Sequence, residues 1–262
     1  MTNEILDQIE EGMKSLYITN TKVCNGETKT DTISFDSLTD MRLITEGVCG
    51  GKLPCVSVSL SGEKKILKLM SKGLNYGNDY AYVDEQKELF GLNRLNVVLK
   101  KMDKTLKNKD RSYEWVDGES IYAVMDDVDC ANDLGKLKTL LKDDEIFREM
   151  LKVRLFNGLF RSSDNILRNI LVQRDTNRLY AIDENDIFGK RKSIFNKTEP
   201  IKKHDKFTRS YVRSVLEEMD IKSVKRQLVD NLSNWNLARH EDALSTRIDE
   251  YEAIVMEEIS RG

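Results

Sequence analysis

Within the passage FRSSDNILRNILVQRDTNRLYAIDENDIFGK, three residues stand at spacings suited to metal-assisted phosphate chemistry: Asp164, then Asn169, then Asp183. Asn and Asp offer hard oxygen donors, the kind Mg2+ takes, and Mg2+ is commonly held by one or two such groups together with nucleotide phosphates. Two short apolar runs, NILVQ and RLYAID, flank the turn RDTN. Paired as a hairpin, they bring Asn169 and Asp183 to one end, with Asp164 overlooking them from the loop before. Phosphoryl transfer asks for such a set: metal ligands, a cation on the phosphates and a group that orients the acceptor hydroxyl. An acidic, turn-rich loop would use the same residue types as caps and turn formers, so that reading stays open beside the chemical one.

The D-x-x-x-x-N spacing followed by an apolar hairpin ending in Ile-Asp resembles the protein-kinase-like superfamily, closest to its atypical branch of phosphatidylinositol 3- and 4-kinases, actin-fragmin kinase and HipA-type kinases. Aminoglycoside phosphotransferases share the spacing, so it marks the superfamily better than the branch. The resemblance implies that Asp164 corresponds to the catalytic-loop aspartate, Asn169 to the metal-binding asparagine and Asp183 to the metal-binding aspartate, with ATP and Mg2+ as cofactors. Two departures stand out. Asp164 is followed by Asn165-Ile166 where the family has Arg-His, and Asp183 by Glu184-Asn185 where it has Phe-Gly. Asp186, in Asp186-Ile187-Phe188-Gly189, is a second candidate for the role given to Asp183. Similar catalytic segments occur in large DNA viruses, which keeps a viral source compatible with the resemblance.

A kinase-like fold also needs a strand lysine that points into the cleft and a helix glutamate to hold it. In KILKLM, alternation sends Lys68 to the face opposite Leu67 and Leu69. Lys68 is therefore the expected phosphate contact, with Lys65 the alternative; a solubilising edge-strand lysine is the plain reading of either. Glu85 and Glu88, about one helical turn apart in YVDEQKELFGL, are both candidate partners. Between two strand-like runs lies EGVCGGKLP, where Gly47, Gly50 and Gly51 would let backbone N–H groups approach phosphate. It equally suits a plain hairpin turn. No GK[ST] opens a helix there, so it is not a Walker loop. YAVMDDV falls where an inter-lobe hinge would receive adenine, and Met125 is placed to pack on the base.

After Asp183 the chain turns basic. Residues 189–206 carry Lys190, Arg191, Lys192, Lys197, Lys202, Lys203 and Lys206 against Glu199 and Asp205. In a kinase-like fold this is the activation segment, and its cations would attract an anionic protein or lipid substrate. Ser193 and Thr198 are phosphosite candidates by position. The expected function is transfer of the γ-phosphoryl group of ATP to a protein or lipid hydroxyl. The rivals are a pseudokinase scaffold, favoured by the two motif departures, and an anion- or nucleic-acid-binding module built on residues 190–206.

The elements that must position these residues follow from the hydrophobic pattern. Ile5, Leu6, Ile9, Met13 and Leu16 predict a first helix, and a polar loop follows it. MRLITEG, PCVSVSL and KKILKLM predict strands broken by Gly-Gly and Ser-Gly-Glu turns; in PCVSVSL, Val56, Val58 and Leu60 share the buried face. Tyr82 to Leu99 reads as helix and ESIYAVMDDVD as strand. Beyond residue 133 the pattern is helical except for the one hairpin. The fold class is thus α+β and two-lobed: residues 1–32 a helix and loop, 33–130 a small antiparallel-sheet N-lobe, 131–262 a larger helical C-lobe. The 262 residues, with 42 Lys+Arg against 45 Asp+Glu, give a net charge of −3, which disfavours general nucleic-acid binding. No apolar run approaches the ~20 residues of a bilayer span, and the acidic start lacks the pattern of a secretory signal. The four cysteines form no C-x-x-C pair, and only two histidines occur, so reduced thiols, a cytoplasmic setting and the absence of a zinc site are expected.

Overall fold

The computed structural model describes residues 31–44, 55–70, 73–109, 112–131, 134–161, 167–182, 187–189, 193–195 and 199–261. Its order is strand-rich, then helical. The strands are β1 (Thr32–Ile33), β2 (Leu38–Ile44), β3 (Cys55–Leu60) and β4 (Glu63–Leu69), followed by helix α1 (Leu74–Gln86) and the long hairpin β5 (Val98–Lys109) and β6 (Ser112–Asp126). After β7 (Cys130–Ala131) come α2 (Leu134–Leu140), α3 (Asp144–Leu159), the hairpin β8 (Ile170–Gln173) and β9 (Leu179–Ala181), then α4 (Arg209–Met219), α5 (Lys225–Asn234) and α6 (Glu241–Ser260). Six strands form one sheet in the order β1-β5-β6-β4-β3-β2, antiparallel except where β1 runs parallel to β5; β7, β8 and β9 form a second, small sheet. The fold is α+β, with a small sheet lobe and a larger helical lobe.

Alternation explains the sheet lobe's two faces. Val56, Val58, Leu67, Tyr122 and Val124 point outward into one apolar cluster, which Phe35 and Trp115 cover. Cys55, Ile66, Ala123 and Met125 point inward and meet Tyr80 and Ala81 of α1 and Leu171, Tyr180 and Ile182 of the β8–β9 hairpin. The helical lobe is built around α3, whose N-cap Asp143 accepts hydrogen bonds from the N–H groups of Glu145 and Ile146. Its Phe147, Phe156 and Phe160 are fully buried with Tyr251, Leu244 and Ile248 of α6.

Three sequence expectations are corrected. The helix runs over Leu74–Gln86, not Tyr82 to Leu99, and its first half lies in residues that look like a turn. Gly77 belongs inside it: a Cβ there would come within 2.9 Å of Leu99, so α1 uses glycine to approach β5 closely. Past Gln86 the helix tightens into a 3-10 turn, ends on the left-handed Gly91, and the chain leaves as a strand. The β5–β6 ribbon that follows is longer than the single strand expected. Cys55 is disulfide-bonded, its partner lying outside the described residues, which corrects the expectation of reduced thiols; Cys130 is free. The predicted first helix lies outside the described residues.

Candidate active site

A cleft of about 390 Å³ opens between the lobes. Its roof comes from Cys55, Ser57, Ile66 and Lys68, its back from Met125 to Cys130, and its floor from Leu171 and Ile182. Lys68 lies on β4 opposite Cys55 and Ala123, on the face away from Leu67 and Leu69, as alternation requires. Its ammonium stands 5.5 Å from the centre of the Tyr80 ring. Lys65 is used elsewhere: it donates to Asp126 at 2.8 Å and pairs with Glu63, and these carboxylates raise its pKa.

The floor explains the position of Asn169. Ile170 pairs with Ala181 and Val172 with Leu179, so the NILVQ and RLYAID runs do form an antiparallel hairpin. The N–H of Ile182 donates to the carbonyl of Asn169 at 2.8 Å, which closes the ladder at the cleft end. Asn169 is 7 % exposed there, so its amide is a buried polar group beside the cleft floor. Asp183 is the next residue after Ile182. Asp164, Asp183, Asp186, Gly47, Gly50 and Gly51 lie outside the described residues, as do Lys190, Arg191, Lys192, Lys197 and Thr198.

The two candidate glutamates differ in their partners. Glu85, on the last turn of α1, accepts a hydrogen bond from Trp235 Nε1 at 2.6 Å. Glu88 lies beyond the helix, exposed, and pairs with Arg94 at 2.5 Å. Met125 lines the cleft and accepts from the Tyr80 hydroxyl through its sulfur at 3.7 Å. At the back, the N–H of Asp126 donates to the carbonyl of Leu95 at 2.8 Å.

The sequence reading overlooked the polar rim. Asp127 accepts from the Ser57 hydroxyl, and Asp129 pairs with Arg174 at 3.1 Å. Arg42 of β2 also lines the opening. These residues fall in strand ends and turns where charge is usual, and only the topology brings them together. Cys130 closes the hinge side. Burial first, then the nearby Asp129 and Asp127, push its thiol up to about 12. Of the basic segment, Ile194, Phe195 and Ile201 are buried, and Glu258 accepts from the Ser193 hydroxyl and the N–H groups of Ile194 and Phe195. Lys206 is paired with Asp144. This end of the segment is anchored to the helical lobe.

No protein-family model matches the chain, and no curated protein matches it in sequence. Solved structures do. The chain is similar to the Helicobacter pylori proinflammatory kinase CtkA, with 12 % identity over 87 % of this chain and 96 % of that one, at a TM-score of 0.44. It is similar also to HipA of the Shewanella oneidensis MR-1 toxin–antitoxin system, solved with HipB and operator DNA: 11 % identity over 96 % of this chain and 72 % of that one, TM-score 0.49. Neither likeness transfers a residue role, and neither supports a viral source.

Proposed function

We propose that the chain is an ATP- and Mg2+-dependent phosphotransferase of the protein-kinase-like kind that modifies a protein or lipid hydroxyl. The observation that carries this reading is the composition of one cleft. It is lined by a sheet lysine, a hinge and the floor of a hairpin whose end holds Asn169. In this reading Lys68 binds the α- and β-phosphates, Met125 packs against the base and Asp164 orients the acceptor hydroxyl. Gly50 and Gly51 approach the phosphates through their backbone. Asn169 and Asp183 suit Mg2+ chemically, since both offer hard oxygen donors. Among the described residues no group of three His, Cys, Asp or Glu forms a rival metal site. When bound, the ion would neutralise phosphate charge; the residues' own part is to hold the nucleotide and acceptor in line. An anionic substrate would meet residues 190–206. No helix among the described residues is long and apolar enough to cross a membrane.

A second reading, a pseudokinase scaffold, is favoured by Asn165-Ile166 and Glu184-Asn185 in place of the family residues. Turnover separates the two. Purified protein with Mg-ATP is expected to release ADP, and Asp183→Ala to cut the rate at least about a hundredfold while leaving the circular dichroism unchanged. Equal rates in the two proteins would overturn the assignment of Asp183, and no turnover in either would favour the scaffold.

A further inference from the structure

Behind the cleft lies an ion pair that none of the roles above uses. Asp84 and Lys87 are each 1 % exposed, one helical turn apart at the end of α1. The Lys87 ammonium donates to Asp84 at 3.3 Å and to the carbonyl of Ala181 at 2.8 Å. Ala181 is the last residue of β9; its neighbour Ile182 bonds to Asn169 and lines the cleft. On its other side the Asp84 carboxylate accepts the N–H of Leu95 at 3.0 Å on one oxygen and the N–H of Val97 at 2.9 Å on the other. Leu95 lines the cleft, and its carbonyl holds the N–H of Asp126 in the hinge. A continuous polar path therefore runs from the hinge through Leu95, Asp84 and Lys87 to the end of the hairpin that holds Asn169.

An i, i+3 acid–base pair on a helix is ordinarily a solvated pair of small effect. Here both charges are withdrawn from water, and such charges persist only where their hydrogen bonds are made. Each partner spends those bonds on backbone groups of a different cleft wall. No uncharged substitute reproduces this. An asparagine at position 84 has one accepting oxygen for two N–H groups that aim at different atoms, and a methionine at 87 has no donor.

We propose that Asp84 and Lys87 are a positioning pair that fixes the separation between the hinge and the hairpin end carrying Asn169. In catalysis this pair acts through those residues and touches no substrate; that part rests on the phosphotransferase reading. The brace itself is measurable without activity. In native-state hydrogen exchange of the unmodified protein, the N–H groups of Leu95, Val97 and Ile182 are expected to open together, with one shared dependence on denaturant. Lys87→Met should speed exchange tenfold or more at all three, as should the double variant Asp84→Asn/Lys87→Met, which leaves Arg94, 3.8 Å from Asp84, in place, while α4 to α6 stay protected. In the turnover assay Lys87→Met should lower kcat by tenfold or more, with KM for ATP changing less than threefold.

Separate opening of the two walls in the unmodified protein would overturn the brace. So would a folded Lys87→Met that exchanges faster at Ile182 alone. If the unmodified chain neither binds nor turns over Mg-nucleotide, the proposed function fails instead, and the exchange pattern still decides the brace.

Discussion

Both lobes carry ion pairs at the surface, but among the described residues the two fully buried pairs, Arg154–Glu199 and Asp84–Lys87, lie in the helical lobe and in α1. In the sheet lobe the ion pairs lie at the surface: Lys65 with Asp126, Lys100 with Asp31, Lys101 with Glu119, Lys104 with Asp117. In the helical lobe Arg154 of α3 is fully buried and pairs with Glu199, also buried. Helix α1 is held by both lobes: its Tyr80 and Ala81 pack on the inner face of the sheet, and its other side bonds to the helical lobe. Its Tyr82 hydroxyl donates to the carbonyl of Leu228, its Gln86 accepts from Asn231 and its Glu85 from Trp235. The comparison teaches that α1 couples the lobes, with apolar packing on its sheet side and hydrogen bonds on its helical side.

The strongest challenge to that contrast is to break one pair in each lobe. Arg154→Met removes the buried guanidinium that pairs with Glu199 and should cost about 3–5 kcal/mol in urea denaturation. Replacing both partners by neutral residues should recover much of that loss. Lys65→Ala, which removes a partly exposed partner at the rim of the sheet, should cost less than about 1 kcal/mol. Comparable losses at the two sites would erase the distinction.

A second test compares two glycines. A Cβ at Gly158 would lie 2.6 Å from the Tyr251 hydroxyl and 2.7 Å from Ile194, both in the packed helical core. Gly158→Ala should therefore destabilise by about 1–3 kcal/mol. At Gly77 the obstacle is the end of the Leu99 side chain, which can rotate, and alanine gains about 1 kcal/mol in helix propensity. Thermal unfolding should show Gly77→Ala close to the parent protein and Gly158→Ala clearly below it.

The smallest effect concerns pH. Glu149 of α3 accepts from Asn93 and from the N–H of Leu179, and burial raises its pKa above the ordinary 4.5. A carboxyl whose folded pKa is raised stabilises the fold below its unfolded pKa and loses that contribution as pH rises through the folded value. Glu149→Gln keeps an accepting oxygen and removes the charge. Its Tm should exceed the parent's at pH 7, and the difference should shrink toward pH 4. An equal difference at both pH values would contradict the assigned cause.

How much of this was readable in the sequence depends on whether a pattern is local. The β8–β9 hairpin was legible because two apolar runs flank a four-residue turn, and the facing of Lys68 because β4 alternates without interruption. The β5–β6 ribbon was not. Its register shifts between Met102 and Lys104, which breaks the period-two signal inside a lysine-rich run. The first half of α1 was hidden by Asn75, Gly77, Asn78 and Asp79, weak helix formers whose support is tertiary: Arg239 reaches Asp79, and β5 packs on Gly77. Asp84 and Lys87 drew no notice beside Glu85 and Glu88, since nothing in their spacing reports burial.

The central claim is that the inter-lobe cleft takes a magnesium nucleotide with Lys68 on its phosphates. Calorimetric titration of ATP into the unmodified protein and into Lys68→Met, each with and without Mg2+, tests it most directly. The account predicts binding that needs Mg2+ and weakens at least about tenfold in the variant, in line with a charge-assisted phosphate contact of about 1.5–3 kcal/mol. Binding of equal strength in both proteins, or none in either, would contradict it.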